Sequence, residues 1–272
     1  TERSAPVAYE DDEVTLTWAP LDHRVTCLGY RLEEHERPGR FDADRAIAAG
    51  VPKGPAWGAL QRGETVEGED GGAVEPAQVL GPPRRGRAVA FCTDTAPCEA
   101  VVDLCRDVDV AFVEGSLSTP DCIKRIHEIR RKAKVLVAVG ACACSGGVNA
   151  MKNIRPIEQV REEVYGEDKY LFPTLPALPL SSVVKVDYNV RGCPMTQLEF
   201  LKVFTSLVMG KEPIEPEYSV CVECKLKENE CVFSRGMICL GPVTRAGCDA
   251  HCTTVGQYCT GCRGLVPEPN LK

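Results

Sequence analysis

Residues 134–142 read KVLVAVGAC, an unbroken apolar run that ends in glycine and cysteine. Two similar runs precede it, RAVAFC at 87–92 and VDVAFVEG at 108–115, and a stretch with helical periodicity follows each of them. Continuous apolar strands that alternate with amphipathic helices are typical of a parallel sheet with both faces covered. The pattern therefore predicts an α/β domain built on a parallel sheet.

A fourth strand is predicted within SSVVKVDYNVRGC, residues 181–193, and the helix MTQLEFLKVFTSLVMG follows at 195–210. In parallel sheets, binding sites form beyond the carboxyl ends of the strands. Cys92, Cys142 and Cys193 each stand at such an end in this reading. We therefore expect these three thiols along one edge of the sheet.

The chain changes character after Pro216, where it becomes a tail of cysteine, glycine and short turns. The tail has too few large apolar residues to build a core, so metal binding is the favoured reason for its order. Half of the 16 cysteines fall there. They are Cys221, Cys224, Cys231, Cys239, Cys248, Cys252, Cys259 and Cys262.

A [4Fe–4S] cluster needs four thiolates from four directions, and a CxxC turn supplies two of them. The tail opens and closes with such a pair, which predicts two sets. The first cysteine set is Cys221, Cys224, Cys231 and Cys239. The second cysteine set is Cys248, Cys252, Cys259 and Cys262. Two four-thiolate zinc sites and a set of disulfides remain alternatives. The irregular gaps favour clusters, because zinc ribbons use two CxxC knuckles per metal.

Net charge and hydrophobicity argue against three classes of protein: nucleic-acid-binding, membrane-spanning and secreted. The chain has 272 residues and a formal net charge of −7, which gives no electrostatic reason to expect nucleic acid as a partner. No apolar run approaches the roughly 20 residues that span a membrane. The opening stretch TERSAPVAYEDDE lacks the apolar core of a secretory signal. We expect a cytoplasmic protein.

Four motifs in the C-terminal part are specific in combination. They are VAFVEGSLSTPD (110–121), KVLVAVGACACSGGVNAM (134–151), VRGCPMTQLEF (190–200) and CKLKENECVFSRGMICLGPVTRAGCDAHCTTVGQYCTGCRG (224–264). From about residue 109 onward, the chain resembles small subunits of cytosolic nickel–iron hydrogenases, of the sulfhydrogenase delta type. The resemblance implies a flavodoxin-like domain over 87–215 that holds a proximal [4Fe–4S] cluster. It also implies an irregular tail over 216–272 with medial and distal clusters.

Residue roles follow from this resemblance. Cys142 and Cys193 match proximal-cluster ligands, while the first cysteine set matches the distal cluster and the second set the medial cluster. The implied function is electron relay, with no catalytic residue in this chain. The implied partners are a large subunit with the nickel–iron site and a flavin, diaphorase or ferredoxin-type subunit. An iron–sulfur subunit of another oxidoreductase complex is an alternative.

The N-terminal part resembles a different family. The stretches LDHRVTCLGYRLEEHERPGRFDADRAIAAGVPKGPAWGALQRGE (21–64) and VLGPPRRGRAVAFCTDTAPCEAVVDLCRDVDVAF (79–112) are similar to the C-terminal half of ribonuclease Z. This nuclease has the αββα metallo-β-lactamase fold. Residues 1–86 are thus predicted to be a fragment of that fold, poorly ordered without the other half. By this resemblance, His23 and Asp94 match two zinc ligands.

The nuclease site itself cannot be assembled from this sequence. It needs an HxHxDH motif and a further histidine, whereas the chain has four histidines that form no such motif. Two ligands do not hold the pair of metal ions that would activate water. We expect no ribonuclease Z activity.

The two resemblances meet near residues 107–114, so the chain is predicted to be a fusion. The hydrogenase pattern has a CxxC that supplies two proximal ligands, but no CxxC precedes Cys221 here. We hypothesise that Cys92 and Cys98, which flank a turn, replace that pair. The alternative is that both belong to the nuclease-like segment, which leaves a hybrid chain with an incomplete proximal site and no relay activity.

Overall fold

The computed structural model describes residues 6–93 and 95–270, which form two compact units. The larger unit consists of Pro6, Thr17–Arg31 and the described chain from Val89 onward. The smaller unit consists of Val7–Leu16 and Leu32–Ala88. Thr17–Arg31 and the described part of the cysteine-rich tail both belong to the larger unit. The domain bounds given by the sequence stay a prediction.

The described residues contain nine strands. In chain order they are β1 (Val7–Glu10), β2 (Val14–Pro20), β3 (Leu28–Glu34), β4 (Val66–Glu67), β5 (Ala73–Val74), β6 (Ala88–Cys92), β7 (Val110–Glu114), β8 (Val135–Val139) and β9 (Tyr188–Val190). The α-helices are α1 (Ala43–Ala48), α2 (Pro55–Gln61), α3 (Pro76–Val79), α4 (Glu99–Leu104), α5 (Pro120–Lys132), α6 (Gly140–Ser145), α7 (Ile157–Tyr165), α8 (Gln197–Val208), α9 (Val220–Leu226) and α10 (His251–Thr254). The 3-10 helices are η1 (Gly147–Ile154), η2 (Gly166–Leu171), η3 (Leu180–Ser182) and η4 (Val232–Arg235).

The larger unit is built on parallel strands in the order β6, β7, β8, β9. This confirms the predicted α/β class. Val110 lies opposite Val89 on one side and Val135 on the other, so the strands are aligned with little offset. The strands are buried along almost their whole length, as expected for a parallel sheet covered on both faces.

One face of the sheet packs against α8. Phe112 of β7 is 1% exposed, and its ring centroid lies 5.0 Å from that of Phe200 and 6.1 Å from that of Phe204. Val203 is the buried residue of the same helix. The spacing of three or four residues between these side chains places them on one helix face. Thr196 begins α8 by accepting a hydrogen bond from the backbone N–H of Glu199.

Two predicted boundaries differ from the structure. The fourth strand is only Tyr188–Val190, because Leu180–Ser182 forms a 3-10 turn before it. The apolar run at 134–142 forms a strand only over Val135–Val139, because the short helix α6 starts at Gly140 directly after β8. The N–H of Ala141 donates to the carbonyl of Gly192 over 2.8 Å, so the segments that follow β8 and β9 adjoin.

Asp187 joins α5 to the start of β8 and β9. Its Oδ2 accepts from the N–H of Leu136 at 2.9 Å and from Arg130 at 2.5 Å. Partial burial alone would raise the pKa of Asp187. The N–H of Leu136 and the Arg130 guanidinium outweigh burial, so the pKa lies below its ordinary value. The charged carboxylate therefore stabilises the fold.

Replacing Asp187 with asparagine should lower the free energy of unfolding at pH 7, because asparagine carries no charge for Arg130. A carboxyl whose folded pKa is depressed contributes stability above its unfolded pKa, and this contribution is lost as pH falls through the folded pKa. Urea unfolding at pH 7 and in acid should show the difference between variant and parent shrinking in acid. The matched control is Asp121→Asn, at the exposed pair with Lys124. A difference independent of pH would contradict the electrostatic explanation.

The smaller unit has a hydrophobic core of its own. Its buried residues are Ala46, Val51, Leu60, Val74 and Val79. Asp42 begins α1 by accepting hydrogen bonds from two backbone N–H groups, and β4 pairs antiparallel with β5. Glu34 forms an ion pair with Arg87. None of the helices within 6–93 and 95–270 has the length and apolar character needed to cross a membrane.

Candidate metal centres

All four cysteines of the second set line one cavity. Its volume is about 250 Å³, and Thr244, Arg263 and Cys193 also form parts of its wall. Cys252 is carried by α10, while Cys259 and Cys262 lie on the turn that contains Gly261. Gly261 has φ +81°, a left-handed conformation that glycine adopts without strain. The structure thus brings together the four thiols that the sequence grouped.

Hydrogen-bond donors point at two sulfurs of this set. Burial raises the pKa of the Cys259 thiol, whereas the Gly261 N–H and the Thr244 hydroxyl act in the opposite direction. Burial likewise raises the pKa of the Cys248 thiol, against the N–H groups of His251 and Ala250. N–H groups aimed at sulfur stabilise the thiolate form that binds iron and tune the potential of a cluster.

The thiols of the first cysteine set influence one another. Burial raises the pKa of the Cys221 thiol, and the neighbouring thiols of Cys239, Cys224 and Cys231 raise it further. All three other members of the set are therefore close enough to Cys221 to affect its charge. Cys231 is exposed, whereas the other three members of the set are half-buried. The first set therefore reaches the protein surface at Cys231.

Gly241 keeps space open between two of these sulfurs. A Cβ built at this position would lie 3.4 Å from the sulfurs of both Cys221 and Cys239. The sulfur of Cys239 accepts from the N–H of Gly241 at 3.4 Å and from the N–H of Cys259 at 3.3 Å. Cys239 therefore has fixed N–H donors, and one of them comes from the second set.

The donor chemistry of each cysteine set matches a [4Fe–4S] cluster. Such a cluster is held by four thiolates, each on a different iron, and each cysteine set supplies four thiols. Among the described residues, no three His, Cys, Asp or Glu side chains form a site for a single metal ion. The residue types present fit a [4Fe–4S] cluster.

Cys142 and Cys193 lie on adjoining segments at the carboxyl edge of the sheet. Cys142 is half-buried in α6, and the side-chain amide of Asn149 lies 4.0 Å from its sulfur. Cys193 is exposed and follows β9. Cys144 turns inward instead: its thiol donates to the carbonyl of Ala138 over 3.4 Å, and burial raises its pKa to about 12.

The two thiols proposed as replacement ligands have other neighbours. Cys92 is 1% exposed, and its sulfur lies 3.7 Å from that of Cys105. Cys98 stands at the start of α4, with its sulfur 3.8 Å from the hydroxyl of Thr95. The pKa of Cys92 lies well above its ordinary value because of the hydrogen bond with Cys105 and because of burial. The replacement stays a prediction.

Of the two residues that matched zinc ligands, the structure describes only His23. His23 is exposed and accepts from the N–H of Val25 over 3.3 Å. It lines an open cavity together with Cys27 and Glu114. Asp94 lies outside the described residues.

The sequence did not single out the ion pair that braces the second set. Arg263, next to Cys262, is 1% exposed, and its guanidinium reaches both carboxylate oxygens of Glu199 at 2.6 Å. It also donates to the carbonyls of Arg191 at 2.7 Å and Ala246 at 2.8 Å. This contact connects the tail to α8 and to the end of β9. Nothing in the sequence around Arg263 predicts that this arginine is buried, because arginine is usually exposed.

Glu223 is a second bracing residue that sequence reasoning missed. Its carboxylate accepts from the N–H of Gly247 at 2.7 Å and from the N–H of Ala250 at 3.0 Å. The sulfur of Cys248 lies 3.9 Å from the same carboxylate. Glu223 of α9 therefore fixes the loop that carries Cys248.

More than half of the chain is similar to subunits of known oxidoreductases. The family described as NADH ubiquinone oxidoreductase, 20 Kd subunit, matches residues 86–207. Sulfhydrogenase 2 subunit delta of Pyrococcus furiosus is 39% identical over 165 residues, which are 60% of this chain and 69% of that subunit. This chain belongs to the hydrogenase small-subunit family. A further relative is a vhu subunit of the F420-non-reducing hydrogenase of Methanococcus voltae, 34% identical over 203 residues, which are 64% of this chain and 71% of that relative.

A different part of this chain is similar to another protein. Ribonuclease Z of a Cyanothece species is 44% identical over 140 residues. These residues are 50% of this chain but only 43% of that nuclease, so the chain spans less than half of it. The chain thus combines a hydrogenase-family part with a segment that is similar to part of ribonuclease Z. Both resemblances seen in the sequence are thereby confirmed.

Proposed function

We propose that this hydrogenase-family subunit is an electron relay whose tail holds two [4Fe–4S] clusters. The observation that supports this most is the single cavity lined by all four cysteines of the second set. The effect of the other three thiols of the first set on the pKa of Cys221 supports the second cluster. When bound, the clusters would supply the one-electron carriers. In this proposal the chain does no acid–base or nucleophilic chemistry, and it has no nuclease activity.

The chain's own residues hold and tune these carriers. The N–H groups directed at Cys239, Cys248 and Cys259 stabilise negative charge on the sulfurs. The buried cation of Arg263 stands in the cavity wall beside Cys262. Positive charge and N–H donors both make a cluster easier to reduce, since the reduced form carries more negative charge.

We propose that a large subunit with a nickel–iron site docks on the face around Cys142 and Cys193. The sulfhydrogenase and F420-non-reducing hydrogenase relatives are themselves subunits of hydrogenases. Val148, Met151 and Ile154 of η1 follow Cys142 closely and are 67%, 66% and 82% exposed. An apolar surface of this kind is typical of protein contacts. A flavin, diaphorase or ferredoxin-type subunit would take the electrons, in the cytoplasm.

The test is the metal content of the full chain, purified without oxygen, with EPR of the reduced protein. We expect about eight irons and eight labile sulfides per chain, which correspond to two [4Fe–4S] clusters. Reduced samples should give cluster EPR signals. Zinc in place of iron, or no bound metal, would contradict the relay.

A second candidate function is a hybrid chain that carries clusters but no longer connects to a large subunit. The contact of the Cys92 sulfur with Cys105 favours it, because two of the four proximal thiolates then have no clear source. About twelve irons would indicate instead a third cluster at the sheet edge, built with Cys92 and Cys98. Co-purification with the large subunit of a relative separates this candidate from the relay: a hybrid of this kind would not bind it.

A further inference from the structure

Two buried thiols in the segment formed by β6 and α4 touch each other. The sulfur of Cys92 lies 3.7 Å from the sulfur of Cys105, and the two residues are 1% and 0% exposed. Cys92 is the last residue of β6, and Cys105 directly follows α4. We call these two residues the dithiol pair. It lies outside the cysteine-rich tail, and neither of the two proposed tail clusters uses it.

The chain around the dithiol pair is held in place. Cys92 belongs to the parallel sheet through its pairing with β7. Arg31 braces the other side, because its Nη1 donates to the two carbonyls that flank Cys105. The distances are 2.8 Å to the carbonyl of Leu104 and 2.6 Å to the carbonyl of Arg106. The two thiols therefore meet at a fixed place, and a reaction between them gains from this proximity.

The contact needs only a short movement to become a covalent bond. The sulfurs of a disulfide lie about 2.0 Å apart, so those of the dithiol pair must approach by roughly 1.7 Å. Burial decides which oxidant reaches them, because a small uncharged molecule enters during local openings of the chain and a bulky reagent stays outside. Cys98 of the same segment is half-buried, with its sulfur 3.8 Å from the hydroxyl of Thr95, and gives an accessible reference thiol.

We propose that the dithiol pair is an oxidation site, at which hydrogen peroxide converts the two thiols into a disulfide. One sulfur attacks peroxide, the O–O bond breaks, and a sulfenic acid and one water form. The other thiol attacks the sulfenic sulfur, which forms the S–S bond and releases a second water. The thiols lose two electrons and two protons, and one peroxide becomes two waters. The oxidised Cys92 has no thiolate for iron, so the disulfide excludes a third cluster built on it. The inference does not rest on the proposed function.

The test uses the full chain, purified in the reduced form without oxygen. Iodoacetamide first blocks the accessible thiols of the folded protein, and hydrogen peroxide is added after the excess reagent has been removed. Trypsin cuts after Arg87 and Arg106, so residues 88–106 are released as one peptide whose cysteines are the dithiol pair and Cys98. We expect peroxide to remove two hydrogens from this peptide, and we expect the label on Cys98 alone.

A second cut assigns the bond. Cleavage after Glu99 separates Cys105 from the other two thiols, and the two fragments should stay joined until a reductant is added. Cys98→Ala should keep the joined fragments, whereas Cys105→Ala should lose them. The parent unfolded in urea is the matched control for burial and proximity. All three thiols are accessible there, so each should be labelled and no bond should form.

Label on Cys92 or Cys105 in the folded, reduced chain would overturn the inference, since the pair would not be shielded. So would fragments that separate without reductant in the oxidised parent, or fragments that stay joined in Cys105→Ala. About twelve irons in a parent whose dithiol pair never forms a bond would assign Cys92 to a third cluster instead. A parent without iron that still forms the disulfide would overturn the proposed function and support this inference.

Discussion

Replacing Arg263 with methionine should lower the free energy of unfolding by about 3–5 kcal/mol, because it leaves the Glu199 carboxylate buried without its partner. The guanidinium also donates to the carbonyls of Arg191 and Ala246, and these would lose their donor. Urea unfolding of the apo and cluster-loaded protein measures the loss. In the loaded protein, the second set's cluster should be released first, since Arg263 follows Cys262 directly.

Two further variants separate the contribution of the Arg263 charge to stability from the contribution of its packing. Glu199→Gln together with Arg263→Met should recover part of the loss, because the buried charge is gone from both sides. Arg106→Met is the matched control, since Arg106 pairs with Asp103 at an exposed position, and it should change stability by less than about 1 kcal/mol. A loss at Arg263 no larger than this control would contradict the bracing role.

Gly247 offers a test of the same brace from the opposite side. Its φ is +116°, and a Cβ there would lie 2.3 Å from Nη2 of Arg263. Arg263 is held by Glu199 and two carbonyls, so it has little freedom to move aside. Gly247→Ala should therefore weaken the same region without removing any charged group.

Replacing Cys221 with alanine should reduce the iron content from about eight to about four per chain. The other three thiols of the first set all raise the pKa of Cys221, and the loss of Cys221 would leave one iron of the proposed cluster without a ligand. The second set has its own cavity and should keep its cluster. Iron analysis and EPR of the reduced variant measure the result, and one of two cluster signals should disappear.

The matched control for Cys221→Ala is Cys122→Ala. Cys122 is a buried cysteine of α5, and its sulfur lies 3.2 Å from the hydroxyl of Thr119. It lies outside the tail and should leave the iron content unchanged. If Cys221→Ala kept all of its iron, the first cysteine set would not be a ligand set.

The division of the tail into two sets followed from the sequence alone. Two CxxC pairs enclose eight cysteines, and four thiolates per cluster is a fixed chemical requirement. Cys248, Cys252, Cys259 and Cys262 line one cavity, and the other three thiols of the first set raise the pKa of Cys221. Local spacing was informative here because the ligands of each set are close in the chain.

The hybrid origin was also visible in the sequence. Each half has long motifs, and the comparisons find hydrogenase subunits and ribonuclease Z on different parts of the chain. Motif identity depends only on residue order, so no knowledge of the fold was needed. What these motifs could not give was the neighbourhood of single thiols such as Cys92.

The sequence by itself determined the parallel α/β sheet, because continuous apolar runs separated by helical periodicity have few other solutions. It also predicted the two cysteine sets that we propose as cluster ligands. The tertiary structure alone decided that Cys92 turns toward Cys105, that Cys193 reaches the cavity of the second set, and that Arg263 is buried against Glu199. The first and the last of these contacts join residues that are 13 and 64 positions apart. Only packing sets which side chains meet over such separations, since no local pattern records them.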